Sequence, residues 1–336
     1  MARGVVARTW RETAPDAIEP DLAAMWRELA RTLKVARAVM ANLVVFRERT
    51  GARIADFDAI AGGLPLDAVA ARHPSRVIIL DHERGRSAAE PPFAAAAGIV
   101  AFGPPQARYA IEEIAVQSAC AERSLPSIVR ALARGSTPTS IWWTEDLSRV
   151  PPIAALVDAG RQFLYDSRRW RDARRGTLAV GALLERERRI DLADVNWRRL
   201  TPFRHALLHA STAVELDAIR DRRVHVTHRP GDAALAWLLV GWLGAQLRWT
   251  PGALPNVEEA RLGDEVLSLA VGGTPPDLTI TMNGHRILVK HAGGMPPFTT
   301  AVPHETDADA IAAELRNLSH DVCLHGAIRT LVAHMR

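Results

Sequence analysis

Two histidines four residues apart are the clearest sign of metal chemistry in this sequence. His205 and His209 fall in a segment with helical spacing, where side chains four apart share one face and can bind the same ion. The residues between them, Ala206 to Leu208, lack the glutamate that a zinc hydrolase uses as its general base. We therefore interpret the pair as surface or capped imidazoles and expect no metal.

Paired carboxylates, which could supply an acid and a base, occur at Glu112-Glu113 and Glu258-Glu259. Neighbouring side chains in a strand point to opposite faces and cannot act on one substrate, so both pairs are interpreted as solvated charges. The run Asp81-His82-Glu83 follows an apolar segment, at the end of a strand where α/β proteins often bind ligands. Together with His73, which precedes Pro74, it is a possible polar cluster without an assigned ligand.

Motifs for cofactors are missing from the sequence. No G-x-G-x-x-G follows Leu43 to Phe46 or any later apolar run, and Lys34 and Lys290 do not lie in a Walker A motif. Cys120 and Cys323 match neither a disulfide framework nor a zinc pattern, although a redox switch stays open. The sequence thus predicts no catalytic residue and no cofactor.

The segment Asp194 to Arg204, read DVNWRRLTPFR, concentrates aromatic and basic residues. Pro202 can open a helix with Thr201 as its N-cap, which leaves Trp197 in a loop or final turn at least partly in water. Because Trp and Arg are the residue types most enriched at binding hot spots, we interpret the segment as a docking surface. Its candidate partner-binding residues are Asn196, Trp197, Arg198, Arg199, Thr201, Pro202, Phe203 and Arg204.

A packing alternative stays open for these aromatic residues. Trp197 could fill a gap between two helices while the arginines around it are solvated. The pair Trp142-Trp143, at the end of a predicted strand, poses the same choice. Because successive strand side chains alternate, one indole should face the core and the other should face the opposite layer or solvent. Trp142 and Trp143 are therefore further partner-binding candidates.

The elements that must position these residues follow from hydrophobic spacing. Asp21 can cap an amphipathic helix from Leu22 to Met40. Strands are then predicted at 43–46, 77–80, 98–102, 113–117, 139–143 and 162–166, with helices at 65–72, 126–134 and 152–159. The run Val77 to Leu80 indicates a strand covered on both faces, whereas the alternation from Glu113 to Gln117 indicates a half-exposed, antiparallel strand.

The second half of the chain has a different pattern. A helix at 202–210 and a strand at 224–227 precede an almost wholly apolar helix from Ala233 to Arg248, which we expect to form the core with Trp237 and Trp242. A strand at 266–271 precedes a hairpin whose Asn283-Gly284 turn would supply positive φ values. Helices at 308–318 and 322–335 are expected to cover one face of this sheet.

These elements predict an α/β N-terminal domain with a mixed sheet covered by helices, followed by an α+β C-terminal domain with an antiparallel hairpin. The predicted limits are 1–41 for the N-terminal amphipathic helix, which packs on the first domain, 42–175 for the α/β domain, and 176–336 for the α+β domain. The boundary falls where arginines cluster, at Trp170 to Thr177.

Composition and charge restrict the class of protein. The chain has 336 residues, of which 48% are hydrophobic and 24% charged, as in folded globular proteins. No apolar run is long enough to span a bilayer and Met1 to Pro20 lacks a secretion signal, so we expect a cytoplasmic protein. Residues 161–230 hold sixteen arginines against nine acids, which suits an acidic protein, a phosphorylated ligand or a nucleic acid.

Several separated motifs carry a family resemblance. They are HPSRVIILDHERG at 73–85, IEEIAVQSA at 111–119, SLPSIVRALARGSTPTSIWW at 124–143, and AALAWLLVGWLGAQLRW at 233–249. These motifs occur in this order around the Asp194 to Arg204 segment. In this respect the chain resembles the glucose-6-phosphate dehydrogenase assembly protein family, OpcA. The resemblance runs from about Asn42 to Trp249. It implies a non-catalytic bacterial activator that binds glucose-6-phosphate dehydrogenase and promotes its active oligomer in the oxidative pentose phosphate pathway.

Three function classes follow, and the assembly factor is the leading one. The alternative is a sugar-phosphate or nucleotide-sensing regulatory protein, in which Arg198, Arg199 and Arg204 would clamp a phosphate. Nucleic-acid binding is the third class, but no nucleic-acid motif supports it. The expected partner is therefore the dehydrogenase, with neither a membrane nor a nucleic acid.

Overall fold

The structure, a computed structural model, describes residues 4–49, 60–84, 93–186, 190–211, 219–260, 263–292 and 296–336. The chain divides into two structural units, and neither is continuous in sequence. The first comprises Met1–Glu145, Pro152–Tyr165 and Thr306–Ser319, and the second comprises Asp146–Pro151, Asp166–Glu305 and His320–Arg336. The domain limits at 41/42 and 175/176 stay a prediction.

The first unit is built on a mixed sheet. Its strands are β1 (Val5–Thr13), β2 (Ala36–Arg37), β3 (Ala41–Glu48), β4 (Ser75–His82), β5 (Phe93–Phe102), β6 (Tyr109–Ser118), β7 (Thr139–Trp143) and β8 (Gln162–Tyr165). They lie in the order β1-β5-β6-β4-β3-β7-β8, with β2 beside β6. Strands β6, β4, β3, β7 and β8 run parallel, and β5 and β1 continue the sheet antiparallel. The predicted α/β architecture with a mixed sheet is confirmed.

Helices surround the strands of both units. They are α1 (Ile18–Thr32), α2 (Leu66–Ala70), α3 (Leu125–Leu132), α4 (Ala154–Val157), α5 (Ala173–Leu184), α6 (Val195–Arg199), α7 (Thr201–Ser211), α8 (Ala233–Leu247), α9 (Asp307–Arg316) and α10 (Val322–Met335). The first four and α9 belong to the first unit, and the others belong to the second. Among the described residues, no helix has both the length and the apolar character needed to cross a bilayer.

Two helix predictions are wrong in extent or placement. Helix α1 ends at Thr32 instead of Met40, because Leu33 turns to an extended conformation and the chain then pairs with β6 as strand β2. Helix α9 does not cover the sheet of the second unit. It packs on α2 in the first unit, where Arg72 and Asp309 form an ion pair.

Strand β6 differs most from its sequence pattern. All ten of its residues are buried, although alternation predicted a half-exposed strand. It pairs parallel with β4 on one side and antiparallel with β5 on the other, so only part of the antiparallel prediction is confirmed. Its charged residues are buried because arginines from elsewhere in the unit surround them.

Glu112 and Glu113 are fully buried, so their interpretation as solvated charges is wrong. Glu112 accepts a hydrogen bond from Trp26 Nε1 at 2.7 Å, and its Oε2 lies 2.9 Å from Nη1 of the equally buried Arg76. Arg37 also contacts this carboxylate, and further positive charge comes from Arg134. A carboxylate can be held inside a protein when cations and hydrogen-bond donors replace its water.

The second unit contains β9 (Asp191–Asp194) and a separate sheet in the order β11-β10-β12-β13-β14-β15. Its strands are β10 (Val224–His228), β11 (Val257–Glu259), β12 (Glu265–Val271), β13 (Leu278–Asn283), β14 (Arg286–His291) and β15 (Phe298–Ala301). Neighbours from β10 through β12 to β15 are antiparallel, and β11 is parallel to β10. Helix α7 packs on β13 and β14. The predicted α+β architecture is confirmed.

The hairpin of β13 and β14 is confirmed, but its turn is not the predicted one. Neither Asn283 nor Gly284 has a positive φ. Instead, the side-chain oxygen of Asn283 accepts hydrogen bonds from the backbone N–H groups of His285, at 3.0 Å, and Arg286, at 2.8 Å. The asparagine thus shapes the turn through its side chain.

Helix α8 is the core of the second unit, as its apolar sequence predicts. Trp242 is buried and Trp237 is half-buried, with its ring beside that of His334. Helix α10 packs along α8 and also contacts α5, so it does not cover the sheet as expected. A Cβ at Gly241 would lie 2.7 Å from the carbonyl oxygen of Ala327, so glycine permits this close approach.

We predict that Glu112→Gln destabilises the protein by about 3–5 kcal/mol, because it removes the buried carboxylate that Arg76, Arg37 and Arg134 share and leaves Arg76 with Glu19 alone. Urea unfolding measures this change in the free energy of unfolding. Glu28→Gln on α1 is the matched control, since Glu28 is exposed, and it should change the value by less than about 0.5 kcal/mol. A loss below about 1 kcal/mol for Glu112→Gln would contradict a stabilising role for the buried charges.

Candidate partner-binding site

The predicted docking segment is a strand, a one-turn helix and a longer helix in succession. Asp194, the last residue of β9, caps α6: its Oδ1 accepts hydrogen bonds from the backbone N–H of Asn196 at 2.8 Å and of Ser167 at 3.1 Å. Thr201 is the first residue of α7 instead of its predicted N-cap. Its hydroxyl accepts from Arg204 Nη2 at 3.0 Å.

Trp197 is only 4% exposed, so the expectation that it lies partly in water is wrong. Its Nε1 donates to Asp321 Oδ2 at 2.8 Å, and the guanidinium of Arg204 lies 3.7 Å from the centre of its ring. Asp321 also caps α10, through Leu324 N at 2.8 Å. The indole therefore contacts residues of α7 and of the start of α10 from its place in α6, all within the second unit. This arrangement agrees with the packing alternative.

The three arginines of the segment are engaged within the chain. Arg198 Nε donates to both carboxylate oxygens of Glu305, at 2.8 and 2.9 Å. Arg199 donates to Asp166 through Nη1 at 2.8 Å and Nη2 at 3.2 Å, in the two-pronged geometry that a guanidinium favours. Burial lowers the pKa of Arg204. The positive charge of this segment is thus largely compensated.

The other aromatic candidates are also inside the fold. Phe203 and Asn196 are buried in the second unit, and Trp142 and Trp143 are both buried in the first. Trp143 stacks on Phe46 with ring centres 3.9 Å apart. Burial of both indoles excludes solvent as the surroundings of the second one and leaves the alternative that it faces the opposite layer.

Partly exposed residues remain around this buried core of the segment. They are Arg198, Arg199, Thr201, Pro202 and Arg204, flanked on α7 by exposed His205, Leu208 and His209. Their role in binding a partner stays a prediction. In the described part of the chain, no group of three His, Cys, Asp or Glu side chains has the arrangement of a metal site.

The sequence pattern alone did not single out the acids that organise this segment. Asp194 directly precedes α6, and Asp321 directly precedes α10. An aspartate before a helical segment is an N-cap signal, and this signal could have identified both residues from the sequence. Complete burial, followed by the nearby charge of Asp166, raises the pKa of Asp194 to about 7. Burial and then His320 lower the pKa of His325 to about 4, and the two imidazole rings lie 3.9 Å apart.

The carboxyl ends of β3 and β7, in the first unit, form the switch point of the parallel sheet, where open α/β sheets bind ligands. Here the chain's own side chains bridge the two ends. Thr144 Oγ1 donates to the carbonyl of Phe46 at 2.8 Å, and Glu145 Oε1 accepts from the backbone N–H of Glu48 at 3.1 Å. An acidic side chain thus binds the backbone N–H at the end of β3.

The polar run Asp81-His82-Glu83, at the carboxyl end of β4, lies at the same edge. The buried side chain of Arg49 has Nε 3.5 Å from Asp81 and Nη2 3.0 Å from Glu83, and Gln117 donates to Asp81 at 2.8 Å. Burial raises the pKa of Asp81. Asp81 and Glu83 of the predicted polar cluster are thus joined by Arg49, which the sequence had not singled out. His73 is not part of it, because it lies before the start of β4 and contacts Ser75 Oγ at 3.0 Å.

Two family models match most of the chain. The model described as the glucose-6-phosphate dehydrogenase subunit N-terminal domain matches residues 66–182, and the model described as the C-terminal domain of the same subunit matches residues 190–328. The chain belongs to this family, OpcA. Membership confirms the resemblance seen in the sequence.

Relatives named as OpcA proteins of the OxPP cycle come from two cyanobacteria. The one from Nostoc punctiforme is 28% identical over 260 residues, which is 69% of this chain and 53% of the relative. The one from Synechocystis is 23% identical over 132 residues, which is 37% of this chain and 26% of the relative. The chain thus spans about half the length of the Nostoc OpcA protein.

Solved structures are similar to this chain only at low identity and low TM-score. A levoglucosan dehydrogenase in complex with NADH and L-sorbose has a TM-score of 0.43 and 13% identity, covering 88% of this chain and 97% of that enzyme. An NAD-binding oxidoreductase from Klebsiella pneumoniae has a TM-score of 0.41 and 12% identity, covering 88% and 96%. At this similarity no conclusion about the chemistry of this OpcA member follows.

We predict that Trp197→Ala destabilises the isolated protein by about 3–5 kcal/mol, because it empties a packed site and leaves Asp321 and Arg204 without their shared neighbour. Urea unfolding measures the loss. Trp197→Phe, the matched control, keeps an aromatic face for Arg204 and should lose about 1–3 kcal/mol with the hydrogen bond to Asp321. An unchanged stability for Trp197→Ala would contradict the packing role.

We also predict a pH-dependent stability difference at Asp194. A carboxyl whose pKa rises from 3.8 to about 7 on folding stabilises the protein fully below pH 3.8, and this stabilisation is lost as pH rises through 7. Asp194→Asn imitates the protonated form. Between pH 5 and pH 8 the variant should therefore gain about 2–3 kcal/mol relative to the natural protein in urea unfolding.

His325 acts with the opposite sign, because its lowered pKa gives stability above pH 6.5 that is lost as pH falls through about 4. Both proteins contain it, so its effect cancels in the difference. A difference between Asp194→Asn and the natural protein that stays constant from pH 5 to pH 8 would show that Asp194 is already ionised when folded.

Proposed function

We propose that this chain is a non-catalytic assembly factor that binds glucose-6-phosphate dehydrogenase and promotes its active oligomer in the oxidative pentose phosphate pathway of a bacterial cytoplasm. The observation that carries the proposal is the match of both family models, which together cover residues 66–182 and 190–328. The names of the two cyanobacterial relatives support the same pathway.

The carboxyl edge of the parallel sheet supports a non-catalytic role. The bridges between β3 and β7 engage Glu48 N and the carbonyl of Phe46 within the chain. Glu145 places a carboxylate beside the end of β3, at the switch point where open α/β sheets bind ligands. The sequence, for its part, has no glycine-rich fingerprint after β3.

An assembly factor acts by binding one state of its partner more tightly than another. If this chain has higher affinity for the active oligomer of the dehydrogenase, mass action shifts the enzyme toward that oligomer. No bond needs to be made or broken. The phosphate-sensing alternative has less support, since Arg198 and Arg199 are already bound by Glu305 and Asp166.

The test is to mix the purified chain with glucose-6-phosphate dehydrogenase from the same organism and to follow mass by size-exclusion chromatography with light scattering. We expect a complex at micromolar concentration, a larger dehydrogenase oligomer, and higher activity at dilutions where the enzyme alone dissociates. The heat-denatured chain is the control. Absence of a complex at micromolar concentration would disprove the function, and a complex without a change in oligomer or activity would disprove the assembly role.

A further inference from the structure

We propose that an arginine-rich turn of the second unit is the surface that receives an acidic face of the dehydrogenase. This inference rests on the proposed function. The surface, called here the arginine patch, lies on a short 3₁₀ turn, the two residues after it and the first turn of α5, and it comprises Arg168, Arg169, Trp170, Arg171, Arg174 and Arg175. In the sequence, this stretch stands out only as a domain boundary.

The arginine patch has a net positive charge that the chain does not fully compensate. Residues 166–175 hold five arginines and two aspartates, and all five arginines are exposed. One of those acids, Asp166, is already bound by Arg199. Among the described residues, the guanidinium groups of Arg169 and Arg171 have no side-chain or backbone partner. Two cations are thus available to a partner.

The backbone that presents these cations is well anchored. Asp166 Oδ1 accepts from Arg168 N at 3.1 Å, Asp146 Oδ2 accepts from Arg171 N at 3.2 Å, and Ser148 Oγ accepts from Asp172 N at 3.3 Å. These bonds fix the turn before any partner arrives. A preorganised surface loses little conformational entropy on binding.

A tryptophan stands in the middle of the patch. Trp170 is half-buried, and its ring covers Gly176 so closely that a Cβ at that position would lie 2.3 Å from it. Trp170 is thus partly exposed, and it lies between Arg169 and Arg171 in the sequence. Trp and Arg together are the side chains most enriched at the centre of protein interfaces, so the exposed docking motif of this chain is here and not at the buried Trp197.

The arrangement favours an acidic protein surface over a small phosphorylated ligand. A phosphorylated metabolite is held in a concave site by donors that converge on it. The arginines of the patch are instead exposed side by side along a turn and a helix start. Such a surface matches carboxylates spread over a folded partner and accelerates association through its field.

The experiment compares two charge-reversal variants in binding to the dehydrogenase. Arg169→Glu/Arg171→Glu changes the patch, and Arg223→Glu/Arg286→Glu is the matched control with the same charge change at exposed arginines elsewhere in the second unit. Surface plasmon resonance at about 50 and about 500 mM salt measures the rates. We expect the patch variant to bind at least about tenfold more weakly, mainly through slower association at low salt, and the control to stay within about threefold.

Each outcome decides the proposal. If the natural chain binds the dehydrogenase and the patch variant binds equally well, the patch assignment is wrong and the proposed function stands. If the natural chain does not bind the dehydrogenase, the patch assignment and the proposed function are both wrong. Equal losses of affinity in the patch and control variants would reveal a general charge effect and overturn the patch assignment. The same variants are also tested against a DNA duplex, and a loss of DNA binding without a loss of dehydrogenase binding would likewise overturn it. Should the patch variant fail to fold by circular dichroism, Arg169→Gln/Arg171→Gln replaces it.

Discussion

A charge removed from water must meet an opposite charge or a set of hydrogen-bond donors, and this requirement organises both units of the protein. In the first unit, Glu112 is buried beneath α1 because Arg76, Arg37 and Trp26 reach it from three separate elements. Arg134 adds a further cation beside Glu112, and Arg76 is also paired with Glu19. This network lets the sheet keep an acidic residue on a fully buried strand.

The same requirement explains why Trp197 and Arg199 of the second unit contact acidic residues of the same unit. Asp321 satisfies both the first turn of α10 and the indole of Trp197, and Asp166 takes the guanidinium of Arg199. Residue types that are frequent in binding hot spots are equally suited to holding helices together, because both tasks combine apolar area with a few directed hydrogen bonds. Residue types alone therefore do not distinguish a binding surface from internal packing. The positions of the acidic partners, Asp321 and Asp166, do distinguish them.

Family membership and geometry lead to compatible conclusions about function. The OpcA models cover most of the chain, and the switch point of the parallel sheet is bridged by Thr144 and Glu145, where ligand-binding proteins of this architecture need open backbone donors. What the molecule offers to the outside is instead a rigid, basic turn with a partly exposed indole. A protein with these features is suited to holding another folded chain.

The sequence by itself determined the alternation of strands and helices, the apolar core helix α8, the hairpin of β13 and β14, the lack of cofactor motifs, and the family. These properties depend on local spacing or on residues that lie close together in the chain. Only the tertiary structure decided which charges and indoles are buried. Trp197 meets Asp321 across 124 positions and Glu112 meets Trp26 across 86, and no local pattern encodes a meeting over such separations.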